Sequence, residues 1–160
     1  MTTSDQFRTV TGLRYGNSEA KGGSMPLGEV VGEFTLKVTS VNYSPVGGEA
    51  TKAEVNVSAE ISGRISGRGF GTLIIEGVPG TTRRWSYAGA NFTAAGARIE
   101  ISGQGVVAPA GTGPQGRGRG TATYRSAAPE LSWLNGFVGA VEFTADPTAE
   151  MIKGAVCEWK

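Results

Sequence analysis

Apolar and polar residues alternate along this chain with a period of two, and no stretch repeats apolar residues at the i, i+3, i+4, i+7 spacing of an amphipathic helix over three turns. Val55, Val57, Ala59 and Ile61 share one face of a segment whose other face is Glu54, Asn56, Ser58 and Glu60, the pattern of a half-buried strand. Phe34, Leu36 and Val38 alternate in the same way, as do Ile99 and Ile101 against Arg98, Glu100 and Ser102. Further strands are predicted over residues 68–76, 83–92, 117–125, 131–144 and 151–159, which makes eight in all.

Turn-forming residues separate these segments: Pro45-Val46-Gly47-Gly48, Gly77-Val78-Pro79-Gly80, Ala94-Ala95-Gly96, the loop Ala108 to Gly116, Ala127-Ala128-Pro129 and Asp146-Pro147. Short connections join neighbouring antiparallel strands, so eight in succession predict an all-β fold, an eight-stranded antiparallel meander closing into a β-barrel over residues 28–160. Residues 1–27, with Lys21-Gly22-Gly23-Ser24 and Pro26, read as an N-terminal arm or a cap over one barrel end. Two strands carry the repeat G-R-G-x-G-T, at Gly67–Thr72 and Gly116–Thr121, and a partial copy relates Ile65–Gly69 to Ile101–Gly105. If the glycines face inward, they mark bent crossings of a closed sheet and leave unfilled space between aromatic side chains, with the arginines and threonines turned to solvent.

Applied to the remaining strands, the same alternation assembles a candidate site. In 83–89 the inward set is Trp85, Tyr87 and Gly89, with Arg83 on that face nearer the rim. In 131–143 it is Leu131, Trp133, Asn135, Phe137, Gly139, Val141 and Phe143, which leaves Asn135 as a lone amide on an apolar face needing a neighbour, a water or a ligand. Tyr124 faces inward through the repeat. An apolar lumen with a few polar handles has the composition of a small-molecule pocket. The expected ligand-binding residues are Arg83, Trp85, Tyr87, Tyr124, Trp133, Asn135 and Phe137. The opposing reading is an eight-stranded barrel simply filled by its own side chains.

Twenty-six of the 160 residues are glycine and none is histidine. Without histidine there is no Ser-His-Asp or Cys-His unit, no histidine-ligated zinc or haem, and no side chain that titrates near neutrality unperturbed. Neither a metal site nor a cofactor is expected. Fifteen basic against 14 acidic residues leave a net charge of +1, so no global field favours nucleic acid or anionic lipid. Two motifs lose their force in context. Gly111-Thr112-Gly113-Pro114-Gln115-Gly116 fits G-x-G-x-x-G but joins two strands, and Arg117-Gly118-Arg119-Gly120 resembles an RGG tract in a neutral chain. The single cysteine, Cys157, reads as a buried, inert thiol. Asn42, Asn56 and Asn91 head Asn-x-Ser/Thr triplets, which carry no weight without a secretory context. No leader and no membrane helix is read, so a cytoplasmic protein is expected.

The G-R-G-x-G-T strands, together with the C-terminal run from Ala128-Pro129-Glu130-Leu131-Ser132-Trp133-Leu134-Asn135-Gly136 to Gly154-Ala155-Val156-Cys157-Glu158-Trp159-Lys160, resemble small calycin-like barrels of the allene oxide cyclase type. The resemblance implies a short antiparallel barrel with a hydrophobic lumen, in a family that includes cofactor-free cyclases and isomerases. It carries over no catalytic motif. A lumen of this kind would bind a small, largely apolar molecule and guide its cyclisation or isomerisation by confinement, with Tyr87, Tyr124 and Asn135 as the catalytic hydrogen-bonding groups. The alternative is a non-catalytic structural or interaction barrel, homodimeric through exposed β-edges.

Overall fold

The computed structural model describes residues 27–159. Eight strands follow one another: β1 (Leu27–Gly47), β2 (Ala50–Gly63), β3 (Gly67–Gly77), β4 (Arg83–Phe92), β5 (Arg98–Pro109), β6 (Gly116–Arg125), β7 (Val138–Asp146) and β8 (Met151–Trp159). Each pairs antiparallel with the next, and β8 returns to β1 to close the barrel. The arm expected over 1–27 lies outside the described residues, except for Leu27, which opens β1. No helix among the described residues is long and apolar enough to cross a membrane.

Strand facing follows the alternation in the sequence. Val55, Val57, Ala59 and Ile61 are all buried, as is Ile99. A belt of paired residues starts at Tyr43 on β1 and runs through Ala53, Ile75, Trp85, Gly105, Gly120, Val141 and Val156. It comes back to β1 at Gly32, many residues from where it began, so the strands are strongly tilted and staggered around the barrel. Both copies of the glycine repeat face inward as read. Their arginines face out, where Arg68 pairs with Glu60 at 2.8 Å, while Arg117 and Arg119 share Glu142 at 3.6 and 2.8 Å.

Residues 131–136, expected as the start of a strand over 131–144, fold differently. They form a 3₁₀-helix, Pro129–Gly136, and β7 begins only at Val138. Pro129 presets the first turn, and i, i+3 stacking brings Leu131, Leu134 and Phe137 onto one face. Leu134 is fully buried, with Leu131 and Phe137 packed against the core. This helix lies at the barrel end that also holds the β2–β3 loop residue Ile65 and the strand starts Val31 and Ile99, all buried. At the opposite end Trp85 and Phe143 pack edge to face, with ring centroids 5.4 Å apart. Beyond Val38, whose N–H donates to the Glu150 carbonyl, β1 is paired with β2 alone. Irregularities at Val38/Ser40 and Pro45/Gly47, together with Pro45 itself, blunt that free edge against pairing with another chain.

Candidate functional site

The lumen is built from four inner positions of β4, where Trp85, Tyr87, Gly89 and Asn91 follow in alternation, and from the strands facing them. Trp85 forms its floor. Its indole Nε1 donates to the carbonyls of Val106 and Arg119, each at 3.1 Å, which ties β4 to β5 and β6. Its ring covers Gly103 and Gly120, where a Cβ would stand 3.1 Å and 2.5 Å from the nearest indole carbons. Tyr87 lies lengthwise along the sheet, so that a methyl group at Gly71 or Gly89 would collide with its hydroxyl. Phe143 occupies the space opened by Gly118 in the same manner. The inward glycines therefore seat the protein's own rings, and the space left beside them in the lumen includes a cavity of about 70 Å³.

Register sets the polar groups around that cavity. Gly71, Gly89, Ile101 and Tyr124 form one cross-strand row, and the Tyr87 hydroxyl lies over its first two members. Asn91, paired with Gly69 and Ile99, stands on the adjacent row. Asn91, Tyr87 and Tyr124 all line the cavity; the rest of its wall is largely apolar, with Phe34, Leu36, Leu73 and Ile101 among the contacts. Asn91 is 2% exposed, and its Oδ1 has no hydrogen-bond partner among the described residues. Burial pushes the Tyr87 phenol up to about 12. Burial raises Tyr124 further, with the neighbouring Tyr87 adding to it. Both hydroxyls are therefore neutral donors at ordinary pH rather than bases.

These raised values carry a pH signature. The phenol keeps its proton in the fold above pH 10, where the unfolded chain releases it, so stability falls as pH rises from about 10 toward 12. Tyr87→Phe is expected to lose less stability over that window than the wild type in urea titrations at stepped pH. An identical loss in both proteins would remove Tyr87 as its source.

The other expected site residues lie elsewhere. Asn135, on the 3₁₀-helix rather than a strand, is exposed and points away from the lumen; its amide bonds the backbone of Ser126, accepting from N at 2.9 Å and donating to O at 3.1 Å. Trp133 is half-buried on the same helix, under the Arg64 guanidinium at 4.4 Å. Phe137 bridges Trp133 and Tyr124, with ring centroids 5.6 Å from each. These residues cap the lumen without lining its cavity. Arg83 lies two positions beyond Trp85, on the far side of the lumen floor, and packs across Gly77; its Nε is buried without a partner among the described residues. Cys157 is buried, on the face of β8 opposite the lumen residue Val156, and burial pushes its thiol up. A far larger basin of about 1180 Å³ lies open on the outer wall, but the Glu60–Arg68 and Arg117–Glu142 pairs neutralise much of its charge. The small lumen cavity, by contrast, presents an almost wholly apolar surface.

Asn91 is the residue that sequence reasoning missed. The alternation Trp85, Tyr87, Gly89 continues to it directly, and that signal was available.

No family model matches the sequence, and no curated protein matches it. Solved structures share the fold. A protein of unknown function from Clostridium acetobutylicum ATCC 824 superposes with a TM-score of 0.67 at 17% identity, over 82% of this chain and 98% of that one. A beta-barrel like protein from Acinetobacter baumannii AYE gives 0.67 at 13% identity, over 89% and 100%. An enzyme from Penicillium herquei gives 0.59 at 17% identity, over 85% and 99%.

Proposed function

We propose that the lumen binds a small, largely apolar molecule and that its confinement there guides a cofactor-free cyclisation or isomerisation, in keeping with the resemblance to allene oxide cyclase-type barrels. The observation that carries this reading is a small, almost wholly apolar void in the lumen, walled by Phe34, Leu36, Leu73 and Ile101, with Tyr87 and Tyr124 among the residues that line it. Apolar voids inside a protein take up small apolar guests. The tyrosines would donate to oxygen as negative charge develops on it, and the apolar walls would hold the reacting conformer. An engineered cavity of about 150 Å³ admits benzene, so a void of about 70 Å³ takes a group of only a few heavy atoms unless a wall side chain moves.

The test is a graded series of neutral ligands, from four heavy atoms upward, followed by methyl NMR of Leu36, Leu73, Ile101 and Ile152. Saturable shifts at these methyls with the smallest members, fading as size grows, are expected; no saturable shift at any size overturns the reading. A second reading, a non-catalytic barrel that pairs with a copy of itself, draws on Phe70 and Phe92. They are 64% and 40% exposed on the outer wall, with ring centroids 6.3 Å apart. A dimer by sedimentation, in a protein whose lumen binds none of the series, would favour it.

A further inference from the structure

Strand register gathers an apolar face on the outer wall of the barrel. Ala140, Cys157 and Val30 form one cross-strand row over β7, β8 and β1, and cross-strand neighbours project to the same side of a sheet. Cys157 faces away from the lumen, so this row does too. Val138 and Trp159 extend the face by two positions along β7 and β8, as alternation requires. Ala140 and Cys157 are buried, whereas Val30, Val138 and Trp159 are 48%, 43% and 45% exposed.

We propose that this face is the docking site of the chain's own segment Phe7–Tyr15. The proposal is independent of what the lumen binds. Three observations select that occupant. First, the chain enters β1 at Leu27, which pairs with Trp159 on the face itself. Between Tyr15 and Leu27 lie residues 16–26, which can span up to about 40 Å, whereas β1 and β7 are about 10 Å apart, two strand spacings. The segment reaches every part of the face. Second, the composition is complementary. Phe7, Val10, Leu13 and Tyr15 supply apolar contacts, and Arg8 and Arg14 are the charges among them. The outer row next to the apolar one is Glu33, Ala155 and Glu142. Glu142 is held by Arg117 and Arg119, but Glu33 is exposed and makes no ion pair among the described residues. A bare carboxylate at the border of an apolar face suits a segment that carries arginine beside its apolar side chains. Third, the face is small for a second copy. A standard interface takes about 800 Å² and 20–30 residues from each partner. This face has five apolar residues before it gives way to Glu33 and Glu142 on one side and to Thr121 and Thr123 of β6 on another.

The test puts a nitroxide label on Thr11→Cys in the full chain, with Cys157→Ala so that no other thiol takes the label, and reads methyl and indole NMR signals. The Val30 and Val138 methyls and the Trp159 indole are expected to broaden, while Val46, at the far end of β1, stays sharp. Adding Phe7→Ser and Leu13→Ser is expected to restore the broadened signals. Without any label, the same double variant is expected to shift those three residues relative to the wild type and to leave the Trp85 indole in place. Glu33→Lys should weaken the broadening; no change there overturns its pairing with the arginines. Sharp signals in the labelled chain, with no shift in the unlabelled double variant, overturn the docking. Broadening that survives Phe7→Ser and Leu13→Ser overturns the assignment to these side chains. Broadening that arises only between chains, when labelled protein is mixed with isotope-enriched unlabelled protein, gives the face to a second copy and overturns the proposal.

Discussion

Trp85→Ala is expected to destabilise the barrel by about 3–5 kcal/mol, the usual range for removing a buried large aromatic side chain. Chemical denaturation of the two proteins side by side measures it. The indole is 5% exposed, lies over Gly103 and Gly120, and meets Phe143 edge to face. Alanine leaves a hole bounded by glycines and by ladder-paired backbone, neither of which can collapse into it, so the cavity cost is fully felt. The same hole adjoins the lumen. Trp85→Ala should therefore admit larger members of the neutral ligand series than the wild type does, a gain in binding size coupled to a loss in stability. Trp85→Phe separates the two roles of the side chain: it keeps a ring over the glycines but loses the Nε1 donor to Val106 and Arg119, for about 1–2 kcal/mol. A loss below about 1 kcal/mol in the alanine variant would show that the floor is not held by Trp85.

That floor, and most of the architecture, could be read from alternation alone, because in a closed antiparallel sheet every strand has one face in the core and the period of two survives along its length. Val55 to Ile61 on β2 and Ile99 to Ile101 on β5 show it directly. Short connections then left little besides a meander, and the two G-R-G-x-G-T strands face as read. The segment 129–136 was ambiguous in itself. Leu131, Trp133, Asn135 and Phe137 satisfy a period of two, while Leu131, Leu134 and Phe137 satisfy a period of three. Pro129 starts a turn, and the two bonds between the Asn135 amide and Ser126 hold it. Sequence parity has no means of weighing such a tertiary tie. Parity alone therefore puts the lumen's amide at Asn135, whereas the same alternation carried four residues past Tyr87 reaches Asn91.

The size of the void was beyond sequence reading for a different reason. Inward glycine signals missing volume, but whether that volume is empty depends on the direction taken by neighbouring rings. Tyr87 could have crossed the lumen; instead it runs along β4 over Gly89. Phe143 likewise fills the space at Gly118 on the adjacent strand. Glycine here is a seat for an aromatic ring more than a source of free space.

If glycine is a seat, adding one methyl group to it must be costly, and the cost must track what the methyl meets. Gly120→Ala is expected to destabilise the barrel by about 3 kcal/mol, the upper part of the range for an overpacked core. Its Cβ would collide with the Gln104 carbonyl and come within 2.5 Å of the Trp85 indole, and neither can give way freely. The carbonyl belongs to the paired strand β5, and the indole is anchored by its own two hydrogen bonds. Gly136→Ala, at the end of the 3₁₀-helix, places its Cβ where nothing lies within 4 Å and should change stability by no more than about 0.5 kcal/mol. Thermal or urea unfolding of the pair makes the comparison. In the Gly120 variant the strain should also reach the lumen, displacing the indole and altering the methyl shifts of the void, whereas the Gly136 variant should leave them unchanged. Equal stabilities for the two variants would mean that the inward glycines are tolerated passengers of the sheet, and the close fit of Trp85 against β5 and β6 would lose its role in holding the barrel closed.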